Sequence, residues 1–139
     1  MMWQVFSPQS PYKKRARLPA ILWTLLIFIL CLWPAEEIPQ IDVPLADKWT
    51  HFVFFAMFSF CWLCVFPSVK PGRLAIVLFI SILYGWLIEL LQYWLSFLGR
   101  HYDPADVLAN SLGGLLGLFV FYIFNRIAAS KRYSHDTPQ

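Results

Sequence analysis

Residues 84–117, YGWLIELLQYWLSFLGRHYDPADVLANSLGGLLG, decide the fold. This stretch sinks an acid and an amide, Glu89 and Gln92, into a long apolar run and breaks at Gly99. It then passes Arg100 and Asp103, meets Pro104, and enters a second apolar run carrying Asp106, Asn110, Gly113 and Gly117. Two apolar runs of this length joined by a few polar residues read as two membrane spans and their connecting loop. An ionisable side chain inside a span costs roughly 2.5 kcal/mol or more, so Glu89 marks a functional site by default.

The remainder of the chain has the same character. Hydrophobic residues make up 59% of the 139 positions and charged ones 14%, where soluble domains average roughly half and a quarter. The run that holds Glu89 begins near Leu74 and is long enough to cross a bilayer with some tilt. Before it, the segment PSVKPGR (67–73) is a turn, preceded by another apolar run that starts at Asp47 or Lys48 and reaches Phe66. The loop 34–46 has three prolines and separates that run from the first one, 18–33. Pro19 suits the first turn of a helix there. Trp33 stands where a signal-peptidase site after Ala35 would need a small residue, so this run reads as a retained anchor. The fourth run, opened by Pro104, lasts to about Phe124. The expected fold is an all-α membrane protein, an antiparallel bundle of four transmembrane helices over residues 18–127. A basic tail (1–17) and a polar tail (128–139) flank it.

Lysines and arginines set the expected orientation. With both termini in the cytoplasm, Lys13, Lys14, Arg15, Arg17, Lys70, Arg73, Arg126, Lys131 and Arg132 lie inside, and only Lys48 and Arg100 outside. Seven of the eight acids fall in the outer half, Asp136 being the exception. The net charge of +3 is therefore an inner-face property, and no basic patch points to nucleic acid. Cys61 and Cys64 form a CxxC motif, but inside an apolar helix it reads as two small packing residues.

In that topology the polar residues of three helices gather at the outer end. Asp47, Lys48 and His51 occupy the first turns of the second helix, Asp106 and Asn110 those of the fourth, and Glu89 and Gln92 the last third of the third. Asp103, Asp106, Asn110, Gly113 and Gly117 are spaced 3, 4, 3 and 4 apart, one stripe of the fourth helix. The polar end of that stripe turns into the bundle, and its glycine end lets another helix backbone approach closely. Each residue also has a purely structural reading. Asp103 is a helix cap and Asp106 a capping-box acid reaching back to it. Glu89 ion-pairs with Lys48 or Arg100, His51 packs, and Lys48 and Arg100 snorkel to the headgroups. Tyr84, Tyr93 and Tyr102 are packing or interfacial aromatics. No His-rich spacing supports a divalent metal at His51, Glu89 and Asp106, and neither a metal nor another cofactor is expected.

These residues resemble the VanZ-like family of bacterial membrane proteins. The shared signature is DKWTHF (47–52), IELLQ around Glu89 and Gln92, and R-x-x-D-x-x-D-x-x-x-N-x-x-G-x-x-x-G from Arg100 to Gly117. The resemblance implies a plasma-membrane location and, for the founding member, a link to teicoplanin resistance; it implies no settled reaction. Two functional readings follow. In one, the outward pocket binds or processes an envelope component, a lipid-linked glycan or a glycolipid. Lys48 and Arg100 then hold a phosphate or carboxylate, Asp47, Gln92, Asp103 and Asn110 complete the polar network, and Glu89, His51 and Asp106 are the candidate catalytic residues. In the other, the protein is a structural or accessory subunit and the cluster only locks four helices together. A transporter is less well supported, since the paired discontinuous helices of secondary transporters are lacking. Membrane lipids are the expected partners, and a homo-oligomer through Gly114 and Gly117 is a further option.

Overall fold

The computed structural model describes Phe6, residues 10–37 and residues 43–136, with side chains as far as Lys131. The rest of the two expected tails, the loop residues 38–42, and the side chains of Arg132, His135 and Asp136 lie outside the described residues. Four helices make up the bundle: α1 (Lys13–Cys31), α2 (Ala46–Val65), α3 (Pro71–Trp94) and α4 (Pro104–Asp136). Short 3-10 turns at Ala35–Glu37 and Ser96–Leu98 lead into the α1–α2 and α3–α4 loops. The described residues contain no strand.

Large apolar side chains point outward and polar ones inward. Phe79 is 66% exposed and Phe119 60%, whereas Glu89, Asn110, Ser59 and Ser81 are all at 0%. That inversion is what a lipid solvent selects, because unpaired polar groups are costly in hydrocarbon and apolar ones are not. Three helices, α2, α3 and α4 as far as Lys131, are long and apolar enough to cross a membrane. In α1 the bases Lys13, Lys14, Arg15 and Arg17 are part of the helix, which starts more than a turn before the expected Leu18. Pro19 therefore sits inside the helix, where its missing N–H removes the i→i−4 bond to the carbonyl of Arg15. At the other end, α4 continues well beyond Phe124 into the segment expected to be a tail.

The most extensive helix pairing joins α2 to α4, and glycine makes it possible. A Cβ built on Gly113 would overlap the carbonyl oxygen of Phe52, and one on Gly117 that of Ala56. Both pairs are four residues apart, so one turn of α4 lies directly on one turn of α2. Gly114 faces the hydroxyls of Ser81 and Ser59, and Gly85 of α3 is fitted against Asn110. The face of Gly114 and Gly117 is thus occupied within the chain, and an oligomer contact through it has no surface left to use.

Two apolar clusters flank this seam. One gathers Ile27 and Cys31 of α1 with Phe55 and Phe58 of α2 and Ile88 of α3. The rings of Phe58 and Tyr84 stack there, and the Tyr84 hydroxyl donates to the Thr24 carbonyl at 2.8 Å. Tyr84 is a packing residue, while Tyr93 at 61% and Tyr102 at 41% remain exposed. The other cluster includes Phe6, from the expected polar tail, stacked on Phe124 and edge-on to Phe121. Asn125 donates to the Phe6 carbonyl at 2.5 Å, so part of the N-terminal segment is packed onto the bundle. All three cysteines are free.

Candidate functional site

The site is assembled where α2 and α4 begin and α3 ends. The chain enters α2 through Leu45 in a left-handed conformation (φ 59°), a backbone state that costs a non-glycine residue roughly 1–2 kcal/mol. Asp47 and His51 then project from one face, with Lys48 beside them. Asp103 caps α4: its Oδ1 accepts the Ala105 N–H at 2.8 Å, and Pro104 occupies the first helical position, where no N–H is needed. The expected capping box does not form. The Asp103 N–H donates to Glu89 Oε2 at 3.2 Å, so α3 supplies the carboxylate that Asp106 was expected to bring, and Asp106 turns to Lys48.

The three helices meet at His51. Its Nδ1 lies 3.0 Å from Asn110 Oδ1 and 3.6 Å from Glu89 Oε1. An amide oxygen only accepts, so Nδ1 carries a proton donated to Asn110. The other ring nitrogen, Nε2, faces Asp47 Oδ1 at 3.9 Å, beyond hydrogen-bond reach. Helix rise places His51, Asn110 and Glu89 each about 8 Å inside the end of its helix. Because α3 ends at Trp94, before the expected Leu98, Glu89 lies shallower than its place in the apolar run suggests and matches its partners in depth.

Lys48 bridges the acids at the mouth. Its ammonium contacts Asp103 Oδ2 in a short ion pair, lies 2.9 Å from Asp106 Oδ1, and stands 3.8 Å from Asp47 Oδ2. This hydrogen bond from Lys48, with the Ala105 N–H, holds the Asp103 carboxyl below the usual carboxylate range. Glu89 pairs with neither Lys48 nor Arg100, as the structural reading expected, but with His51 and the Asp103 backbone. In the cluster one ammonium thus contacts the carboxylates of Asp47, Asp103 and Asp106, while Glu89 faces His51. Several buried polar atoms have no hydrogen-bond partner: Glu89 Oε1, Asn110 Nδ2 and Asp106 Oδ1, the last near Lys48 but off the line a hydrogen bond requires.

Two expected members of the network are elsewhere. Gln92 donates to the Cys31 carbonyl at 2.8 Å, and Arg100 donates to the carbonyls of Trp33 at 3.0 Å and Leu30 at 3.4 Å. Both satisfy the open carbonyls at the C-terminus of α1, the end at which a cation is also favoured by the helix dipole. Arg100 in addition lines a cavity of about 650 Å³ with Tyr93, Trp94, Ser96, His101 and Tyr102. Ser59 and Ser81 escaped the sequence reading. Their buried hydroxyls lack partners and face Gly114, deeper in the bundle than His51. The available signal was a serine in each apolar run at a level matching that glycine.

A family model described as VanZ/LLP1 matches residues 1–125. An uncharacterized protein of Schizosaccharomyces pombe, C11E3.10, is 29% identical over 126 residues, covering 87% of this chain and 75% of the yeast protein. No solved structure matches. The family match spans all the residues of the cluster, from Asp47 to Asn110, and both seam glycines.

Proposed function

The chain belongs to the VanZ/LLP1 family of membrane proteins, and on that premise we propose that its polar pocket binds or processes a lipid-linked, phosphate-bearing component of the cell envelope. The observation that carries this reading is Glu89. It is wholly buried, one oxygen has no hydrogen-bond partner, and that oxygen faces His51. A buried acceptor left unsatisfied costs on the order of 1–3 kcal/mol, more when charged, and an apolar residue there would serve the fold better. A group kept at such a cost in a cleft is a candidate for binding or chemistry.

Each residue takes a role in this reading. Lys48, held at the mouth by Asp103 and Asp106, receives the phosphate of the ligand and releases one acid as it does so. His51 and Glu89 stand behind it as the acid–base pair, with Asn110 fixing the ring. The Arg100 cavity, with its aromatic walls, takes part of the headgroup. The site opens to the outer leaflet of a bacterial plasma membrane, with both termini cytoplasmic, where lipid-linked glycans and membrane-active glycopeptides such as teicoplanin reside.

Native mass spectrometry of lipids retained by wild type, Lys48→Met and Glu89→Gln, purified at equal levels, tests the proposal. A phosphate-bearing lipid held by wild type and lost from both variants is expected. An identical lipid profile in all three refutes it. The accessory-subunit reading is favoured by Gln92 and Arg100, whose donors lock α1 to the bundle. It predicts that any phenotype of Glu89→Gln follows protein abundance alone.

A further inference from the structure

We propose that the mouth of the site holds a divalent first-row transition metal on Asp47, His51 and Asp106. One ligand atom from each of these residues lies within 4.8 Å of the other two. The trio differs from the one considered in sequence, because Glu89 is drawn to the Asp103 backbone and Asp47 takes its place. Adjacent donors on an ion with ligands at about 2.1 Å stand roughly 3 Å apart, so side-chain rotation closes the remaining gap.

Three independent features point to an ion. The first is the histidine. Its Nδ1 lies 3.0 Å from Asn110 Oδ1, and its other ring nitrogen, Nε2, faces Asp47 Oδ1, 3.9 Å away. That separation exceeds a direct hydrogen bond and matches two ligands on one metal ion. A ring nitrogen oriented by a hydrogen bond on its far side is also the usual arrangement behind a metal. The second is the buried acids. Asp106 is 3% exposed and its Oδ1, 2.9 Å from the Lys48 ammonium, is off the line of a hydrogen bond, and behind the trio the unpartnered Oε1 of fully buried Glu89 is aimed at His51. The third is charge: the ammonium of Lys48 is shared among the carboxylates of Asp47, Asp103 and Asp106, and its closest contact is Asp103, outside the trio. Two carboxylates and an imidazole suit manganese, iron or zinc better than calcium or magnesium, which prefer oxygen alone.

Mn2+ added to EDTA-treated, detergent-purified protein tests this, read by the loss of free-ion signal in electron paramagnetic resonance and by nitrogen coupling in the pulsed experiment. The expected result is one Mn2+ per chain with a single imidazole coupling. Asp47→Asn, at a half-exposed position that leaves folding intact, lowers affinity at least tenfold. His51→Gln removes the coupling, and His101→Ala retains it. Absence of saturable binding overturns the proposal, as does affinity unchanged in Asp47→Asn or a coupling that survives in His51→Gln. No lipid enters the titration, so it can fail while the lipid reading stands, and the reverse.

Discussion

Alanine at position 113 is expected to open the bundle and disconnect the site in one step. A Cβ on Gly113 would stand 2.9 Å from the Phe52 carbonyl carbon and 3.1 Å from its Cα, with the carbonyl oxygen closer still. The obstacle is helix backbone, which cannot rotate aside as a side chain does. Restoring ordinary contact moves α4 from α2 by on the order of 1 Å, and overpacking of that kind costs about 1–3 kcal/mol. For a chain of this size that is a fall of roughly 4–12 °C in melting temperature. Residue 113 lies one turn from Asn110, and Phe52 is next to His51. The same displacement therefore stretches the 3.0 Å His51–Asn110 bond beyond hydrogen-bond range. Thermal unfolding in detergent of a glycine-to-alanine series is the assay. Gly117→Ala, against Ala56 and Ser59, behaves like Gly113→Ala. Gly114→Ala meets mainly the Ser81 hydroxyl at 2.8 Å, a movable atom, and loses less. Gly72→Ala, with nothing within 4 Å, melts at or above the wild-type temperature. Were Gly113→Ala to melt as Gly72→Ala does, the backbone contact between α2 and α4 would be wrong, and the placement of the site with it.

Other perturbations have equally definite outcomes. Asp103→Asn keeps the helix cap but loses the Lys48 pair. The folded carboxyl titrates below its ordinary value, so its contribution is complete above about pH 4 and disappears as pH falls through the depressed folded value. The variant therefore melts below wild type at pH 7, and the difference closes toward pH 3. Gln92→Leu leaves the Cys31 carbonyl unpaired and costs about 1–3 kcal/mol; proteolysis in detergent should then cut first at the α1–α2 connection, whereas Tyr93→Leu, exposed on the same helix, should leave the pattern unchanged. With the native cysteines replaced, a membrane-impermeant maleimide applied to intact cells labels Asp47→Cys and leaves Lys70→Cys untouched; the opposite pattern reverses the proposed orientation.

Much of this was legible in the sequence because lipid imposes simple rules. The spacing of Asp106, Asn110, Gly113 and Gly117 assigns one face of α4, and no other packing satisfies both its polar and its glycine halves. The depth of His51 and Asn110 followed from helix rise, since each lies close to a clear helix start. The end of α3 at Trp94 is hidden in an apolar run that continues to Leu98, and the 3-10 turn at Ser96–Leu98 has no sequence mark except Gly99. Arg100 and Gln92 were assigned to the pocket by chain proximity to Asp103 and Glu89. Their actual partners are backbone carbonyls at the end of α1 and just beyond it, 61 to 70 residues earlier, and carbonyls carry no sequence signature. Phe6 was missed for a related reason: a single aromatic in a basic segment does not reveal that a ring cluster on α2 and α4 awaits it. The metal trio depends on the rotation of Asp47 toward Nε2, which spacing alone does not determine.

The most direct test of the three-helix convergence is nitrogen-15 NMR of histidine-labelled protein, with His51 assigned by its loss in His51→Gln. The structure predicts a protonated Nδ1 that exchanges slowly with solvent and whose resonance shifts in both Asn110→Ala on α4 and Glu89→Gln on α3. A His51 signal indifferent to both substitutions, or exchanging as freely as that of exposed His101, would contradict it.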